Sequence, residues 1–430
     1  MAALGLAVAC GLALGACDEA KSPITVYAPP PHMGQIGAPR APWTTAAAGA
    51  SATAPAPAGA PPALMRDVPP EATTAPPATR PAGPAPGVLV EAEQESLSDL
   101  VQLTRGFGRA GEAYFSPDMK WIIFQATPPQ EQQYQMYLAP LRWDGDRLAG
   151  AGDPIRISPE NSRNTCGYFG PDNALIFAST VGKEKPDEAS PGFQRKENKY
   201  RWTFQTGMEI YRWDDWRRLA TVADNLRGGG GKAEVRPDLK PLTNNNTYDA
   251  ECAFSPDGRS IVFCSLDAGN PDVYVMPATG GERVRITDFA GYDGGPFFAP
   301  DGKRLVYRSG RKDPDLLQVF VADLRIENGR ITGRAAERQI TDDANVNWGP
   351  FWHPDNRHIV FATSRHGHQN YELYLIRDDG THPTRLTHAE GADVLPVFSP
   401  DGKWLMWTNK RTQDRTTQVF AARFRLPAGS

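Results

Sequence analysis

The sequence predicts an all-β fold, a six-bladed β-propeller, preceded by a disordered Pro/Ala-rich tether. The first observation behind this is a spacing. A Thr or Ser ending an outer strand recurs at Thr104, Ser158, Thr243, Thr287, Thr341 and Thr387, and a turn aspartate follows fourteen residues later each time, at Asp118, Asp172, Asp257, Asp301, Asp355 and Asp401. The second is a pair of aromatic columns. Phe115, Phe169, Phe254, Phe298, Trp352 and Phe398 stand three residues before the aspartates, and Phe124, Phe177, Phe263, Tyr307, Phe361 and Trp407 close the following strand. Hairpins with fixed aromatic positions cannot bury both faces alone, so neighbouring copies must stack. The third is that the two ends of the array complement each other. Val101 to Thr104 (VQLT) has the character of an outer-strand end but no hairpin precedes it, whereas the last hairpin is followed by only one further strand, Gln418 to Phe424. The N-terminal strand is therefore expected to complete the last sheet, closing a ring and removing exposed edges.

Each element has a local reason. Proline before the turn aspartate fixes φ for a type I turn, and Asp accepts backbone hydrogen bonds. The next residue enters the left-handed region, which Gly258, Gly302 and Gly402 reach freely and Asn173 and Asn356 tolerate; Met119 is the misfit.

Residues 2 to 16 form a short apolar run ending in Leu14-Gly15-Ala16-Cys17, the pattern of a bacterial lipobox. Residues 1–17 are thus read as a lipoprotein signal peptide with Cys17 as lipidation site. A plain cleaved signal peptide is the alternative, too little apolar sequence precedes Cys10, and the missing basic segment places the expected start codon upstream. Residues 18–99 are read as a linker. Its 23–88 stretch holds 17 of the 40 prolines, too few apolar groups to fold, and an extended reach on the order of 200 Å. A short helix is expected over 91–100, and the propeller over 100–426.

A net charge of −4 and pI near 6.0, with no basic stripe, exclude nucleic acid as a partner. After the N-terminus no apolar run is long enough to span a membrane. The chain is expected to be a monomer.

Eight residues before each turn aspartate comes the column Ala110, Asn164, Asp249, Asp293, Asn347, Asp393. These five Asx residues are expected at the funnel mouth, where they would bind a partner or a cation; Asx there also caps loop amides. Blade two carries two long insertions. Val181 to Thr206 brings Phe193, Tyr200, Trp202 and Phe204 to the funnel face, and Trp216 to Leu239 contains the glycine run 228–231. Six of the seven histidines fall between His353 and His388, and the sequence His366-Gly367-His368-Gln369 is the candidate divalent-metal site, since H-x-H in extended backbone puts both rings on one side. Cys166, Cys252 and Cys264 are expected as free, buried thiols, because the hairpin register points Cys252 and Cys264 to different faces.

The phrases YDAECAFSPDGRSIVF, YDGGPFFAPDGKRLVYRS and ADVLPVFSPDGKWLMWTNKR resemble the Pro-Asp repeats of TolB and related bacterial envelope propellers, over residues 100 to 425. The resemblance implies a propeller that binds an envelope protein or cell-wall component, in the periplasm. TolB has a folded domain where this chain has its tether. The HGHQ stretch is similar to oligogalacturonate lyases, whose propellers use His and Gln to hold a metal that acidifies a proton beside a uronate carboxylate. The prolyl oligopeptidase family also uses such repeats, but its Gly-x-Ser-x-Gly elbow does not occur here. The leading expectation is a non-enzymatic, membrane-tethered interaction propeller without a cofactor; the alternative is a metal-dependent, lyase-like enzyme acting on acidic polysaccharide at the funnel.

Overall fold

A computed structural model describes residues 24–27 and 87–430, except 130, 160, 184–191, 197–198, 220, 222–231, 236–237, 246 and 413. Cys17, the signal segment and the glycine run at 228–231 lie outside the described residues. The side chains of Phe193, Tyr200 and Trp202 do as well.

Six antiparallel sheets form the six blades. Blade one contains Arg109–Phe115, Trp121–Thr127, Gln135–Asp144 and Arg147–Ala151, with Ile155–Arg156 as an extra outer piece. Blade two contains Asn164–Phe169, Leu175–Ser179, Glu209–Trp213 and Leu239–Pro241. Blade three contains Asp249–Phe254, Ser260–Ser265, Asp272–Pro277 and Val284–Arg285. Blade four contains Asp293–Phe298, Arg304–Ser309, Gln318–Glu327 and Arg330–Gln339. Blade five contains Asn347–Trp352, His358–Thr363, Glu372–Arg377 and Thr384–Arg385. Blade six contains Val394–Phe398, Trp404–Asn409 and Gln418–Phe424, and its outer strand is Leu97–Gln102 from the other end of the described chain. Leu97 pairs with Phe424 and Gln102 with Phe420, so the ring closes as the repeat count requires.

Both aromatic columns are buried, the second of them almost completely. They fill the space between adjacent sheets, which is why a single hairpin of this type has no stable existence on its own. All six residues after the turn aspartates have positive φ, including Met119 at 59°. The turn is closed by side chains as well. Ser116, Ser255 and Ser399 each donate Oγ–H to their turn aspartate at 2.6–2.7 Å and accept the backbone N–H that starts the next strand. In blade five the same positions are His353 and His358, both beside Asp355, at 3.1 and 2.6 Å. Burial would raise the Asp355 carboxyl, but the two imidazoles and two amides hold it far below the usual carboxylate range.

The repeated Thr/Ser has a structural cause that spacing alone did not reveal. Each of the six hydroxyls is buried and accepts the N–H of the second residue of a third strand, at 2.8–3.1 Å. Thr104 does this to Val419 across the closure, so the seam of the ring uses the same bond as the intact blades.

The helix expected over 91–100 is a single 3-10 turn, Glu91–Glu93, followed by the closing strand from Leu97. The reason is a tertiary contact. Glu93 is fully buried, receives two hydrogen bonds from Arg411, and accepts the His388 and Ala389 amides at 2.8 and 3.3 Å. Within the stretch read as tether, Ile24–Tyr27 pairs with Lys232–Val235. Within the first insertion of blade two, Gly192–Lys196 and Lys199–Thr203 form a hairpin.

Candidate functional site

The inner strand of every blade carries a register irregularity, and its cause is one residue with positive φ. These residues are Glu112, Cys166, Glu251, Gly295, Gly349 and Leu395, with φ of 47° to 58°. Each stands six residues before its turn aspartate. A bulge re-aims one side chain and bends its strand. All six bulge residues line one cavity of about 730 Å³.

The cavity is layered because each inner strand crosses it in the same direction. At the rim, three residues before the bulge, stand Arg109, Arg163 and Tyr248. Residues of the loop joining the second and third strands of blade one, and Phe204 and Gln205 from the first insertion of blade two, also line it. The bulge residues form the middle layer. Two residues further come Tyr114, Tyr168, Phe297 and Phe351, whose rings meet at 4.9–6.4 Å and make an aromatic floor. Such edge and tilted contacts suit aromatic quadrupoles.

The middle layer holds the charge. Arg308 reaches in from the second strand of blade four and pairs with Glu251 at 3.2 Å, its guanidinium lying over Tyr292 and Trp348 at 5.4 and 5.7 Å. It fits because blade four has Gly294-Gly295: a Cβ at Gly295 would collide with Arg308 Nη1. Glu251 also accepts the hydroxyls of Tyr248 and Tyr292 at 3.1 and 2.7 Å and the Gly295 amide. Glu112 lies two blades away at the equivalent bulge. Burial, reinforced by the negative charge of Glu251 and only partly offset by a Cys166 hydrogen bond and Arg308, pushes its carboxyl up to about 7. Burial likewise drives the Cys166 thiol well above its ordinary value, so it is a weak nucleophile at neutral pH. Cys166, Cys252 and Cys264 are free and buried, as expected.

The five Asx residues are brought to equivalent places, but beneath the surface. Asn164, Asp249, Asp293, Asn347 and Asp393 are at most 2 % exposed. The aspartates pair with arginines, Asp249 with Arg283 at 3.1 Å, Asp293 with Arg311 at 3.2 Å and Asp393 with Arg411 at 3.0 Å. The asparagines bond glutamines of the preceding blade, Asn164 to Gln135 at 3.0 Å and Asn347 to Gln318 at 2.9 Å. Their side chains therefore join strands and blades; of the five, Asn164 borders the cavity.

His366 and His368 are directed at different tyrosines. His366-Gly367-His368 forms a turn, with φ of 103° at Gly367, in place of the extended backbone expected. His366 Nε2 bonds Tyr374 Oη at 2.9 Å, while His368 Nδ1 approaches Tyr371 Oη at 3.5 Å, and Gln369 is exposed in the same turn. Burial and the nearby Arg385 and Arg365 lower the His366 pKa. Among the described residues, no group of three or more His, Cys, Asp or Glu is placed to hold a metal ion. Among them, too, no helix is long and apolar enough to cross a membrane.

Sequence reasoning missed Glu112, Glu251 and Arg308. For the two glutamates the signal was present in the column six residues before the turn aspartate, where two glycines mark a position of positive φ; Arg308, on a second strand, lies outside that column.

The closed ring of Pro-Asp hairpins defines a β-propeller of the TolB type. The family described as PD40, TolB beta propeller domain, matches residues 236–332. Protein TolB homolog of Chlorobium luteolum is 32% identical over 157 residues, 36% of this chain and 32% of that protein. Tol-Pal system protein TolB of Francisella tularensis subsp. mediasiatica is 28% identical over 178 residues, 41% of this chain and 38% of that protein. The matched region thus spans about a third of the length of these curated relatives. The crystal structure of TolB from Acinetobacter baumannii aligns with a TM-score of 0.43 and 18% identity, covering 76% of this chain and 66% of that one. The chain is a TolB-like propeller protein.

Proposed function

We propose that this chain is a non-enzymatic propeller of the bacterial envelope, tethered to a membrane through lipidated Cys17, that binds an envelope protein or cell-wall component over the face where the axial cavity opens. The observation that carries this reading is the state of the cavity's reactive groups. Glu251 is engaged by two tyrosines, an amide and Arg308, and the Cys166 thiol is held protonated. With Glu251 and Cys166 so engaged, neither is an activated nucleophile, and the cavity presents shape and charge to a ligand. The TolB-type repeats, and curated relatives titled as Tol-Pal system proteins, support placing the partner in the envelope.

Two measurements test it. Cross-linking of the full chain in envelope preparations, followed by affinity recovery, is expected to yield a discrete partner whose recovery drops when Arg109 and Arg163 at the rim are changed to Glu; a partner that is recovered equally well from the double variant sinks the surface assignment. Metabolic labelling with an alkyne fatty acid is expected to mark the native chain and not Cys17→Ser. Label on both, or on neither, removes the lipid anchor from the proposal.

A further inference from the structure

We propose that the axial cavity binds a small zwitterion, a dipeptide or amino acid with both ends free, its ammonium against Glu112 and its carboxylate against Arg109 at the rim. Two ionisable groups of opposite sign face this space without an ion-pair partner among the described residues. Among the described residues, no Lys, Arg or His nitrogen lies within ion-pairing distance of Glu112, although the neighbouring carboxylate Glu251 is paired with Arg308. Arg109 donates to the Thr127 hydroxyl at 3.2 Å and the Gln132 carbonyl at 3.4 Å and lies over Tyr134 at 4.4 Å. No carboxylate among the described residues pairs with it.

The spacing suits a bipolar ligand. Arg109 and Glu112 are three residues apart on one strand, about 10 Å in strand rise. An extended dipeptide spans about 7 Å, and the Arg and Glu side chains close the remainder. A simple amine would have to pass the guanidinium groups at the rim, and a simple carboxylate would meet Glu112 and Glu251 in the middle layer. A ligand carrying both charges satisfies both layers. Phe204, Tyr248, Trp348 and the ring of Tyr114 supply apolar wall for its side chains.

Proton linkage follows from the groups around Glu112. Glu251, Cys166, Cys252, Tyr114 and Tyr134 surround it, with Arg308 beyond, and burial favours its neutral form, with a pKa of about 7. An ammonium favours the ionised form. Affinity should therefore rise from pH 6 to about pH 7.5, as unliganded Glu112 gives up its proton, and fall above about pH 8, where the ligand's own α-amino group, with an ordinary value of about 7.7–8.0, loses its proton.

Isothermal titration calorimetry on the full chain at about pH 7.5, between the Glu112 and α-amino titrations, tests this with three probes: L-Ala-L-Ala, its N-acetyl form and its C-terminal amide. The free dipeptide is expected to bind saturably, and each capped form about tenfold or more weakly, as for the loss of one charge-assisted hydrogen bond. Glu112→Gln should abolish the penalty for acetylation, and Arg109→Gln the penalty for amidation. No saturable heat with millimolar dipeptide, or equal affinity for all three probes, overturns the proposal. So does a Glu112→Gln chain that still prefers the free amine. The capped series on the native chain decides the matter even where a variant does not fold.

Discussion

Glu112 shows how one residue can be costly to the fold and useful to a site. Its folded pKa of about 7 lies above the ordinary 4.5, so the folded state holds the proton more tightly than the unfolded chain does. This contribution to stability is complete below pH 4.5 and is lost as pH rises through 7, by up to roughly 3 kcal/mol. Glu112→Gln should flatten that part of the pH profile in urea titrations; a native-like slope in the variant would show that Glu112 is not its source. Gly295 makes the opposite demand, for space. It combines a φ of 58° with a Cβ direction that points into Arg308. Gly295→Ala should destabilise by about 2 kcal/mol or more, through backbone strain and displacement of the guanidinium from Glu251. The Asx column that proved structural follows a similar logic. Asp is paired where an Arg is available and Asn where a Gln is, because a buried Asx needs a partner of matching charge.

At the level of elements, the blade is held by a bond the repeat advertises. The Thr287 hydroxyl accepts the Val273 N–H at 2.9 Å where the outer strand of blade three is only two residues long. Thr287→Val keeps the volume and removes the acceptor, leaving a buried amide unsatisfied. The expected loss is about 1–3 kcal/mol, read from the denaturation midpoint at constant m-value. The same change at Thr341 should do comparable damage, since Val319 depends on it at the same distance. A negligible effect at both would mean that the column reflects the turn and not the strand pairing. The inner-strand bulges are the other element-scale device. They shift register in all six blades, and so deliver a charged, a small or an apolar residue to the same height of the cavity.

For the whole molecule, stability rests on closure. Leu97–Gln102 supplies the last strand, and Glu93 fixes it by meeting Arg411, which also bonds Asp393. Burial alone would raise the Glu93 carboxyl, yet Arg411 and the backbone amides of His388 and Val90 outweigh it and hold the pKa below the ordinary value. That stability is present above pH 4.5 and is lost as pH falls through the folded pKa, the reverse of the Glu112 effect. Arg411→Leu strands two buried carboxylates and should cost about 3–5 kcal/mol, with proteolysis near residues 91–102 accelerating first; unchanged protease resistance would show that the strand pairing alone secures the ring. The sequence by itself determined the repeat count, the turns, the aromatic columns and the closure, because each depends on short-range spacing that every blade repeats. The tertiary structure alone decided the site. Whether an Asx faces solvent or an arginine, and whether Glu112 and Glu251 share a cavity, depends on where six separate strands converge on one axis, and residues about 140 positions apart in the chain carry no mark of that meeting.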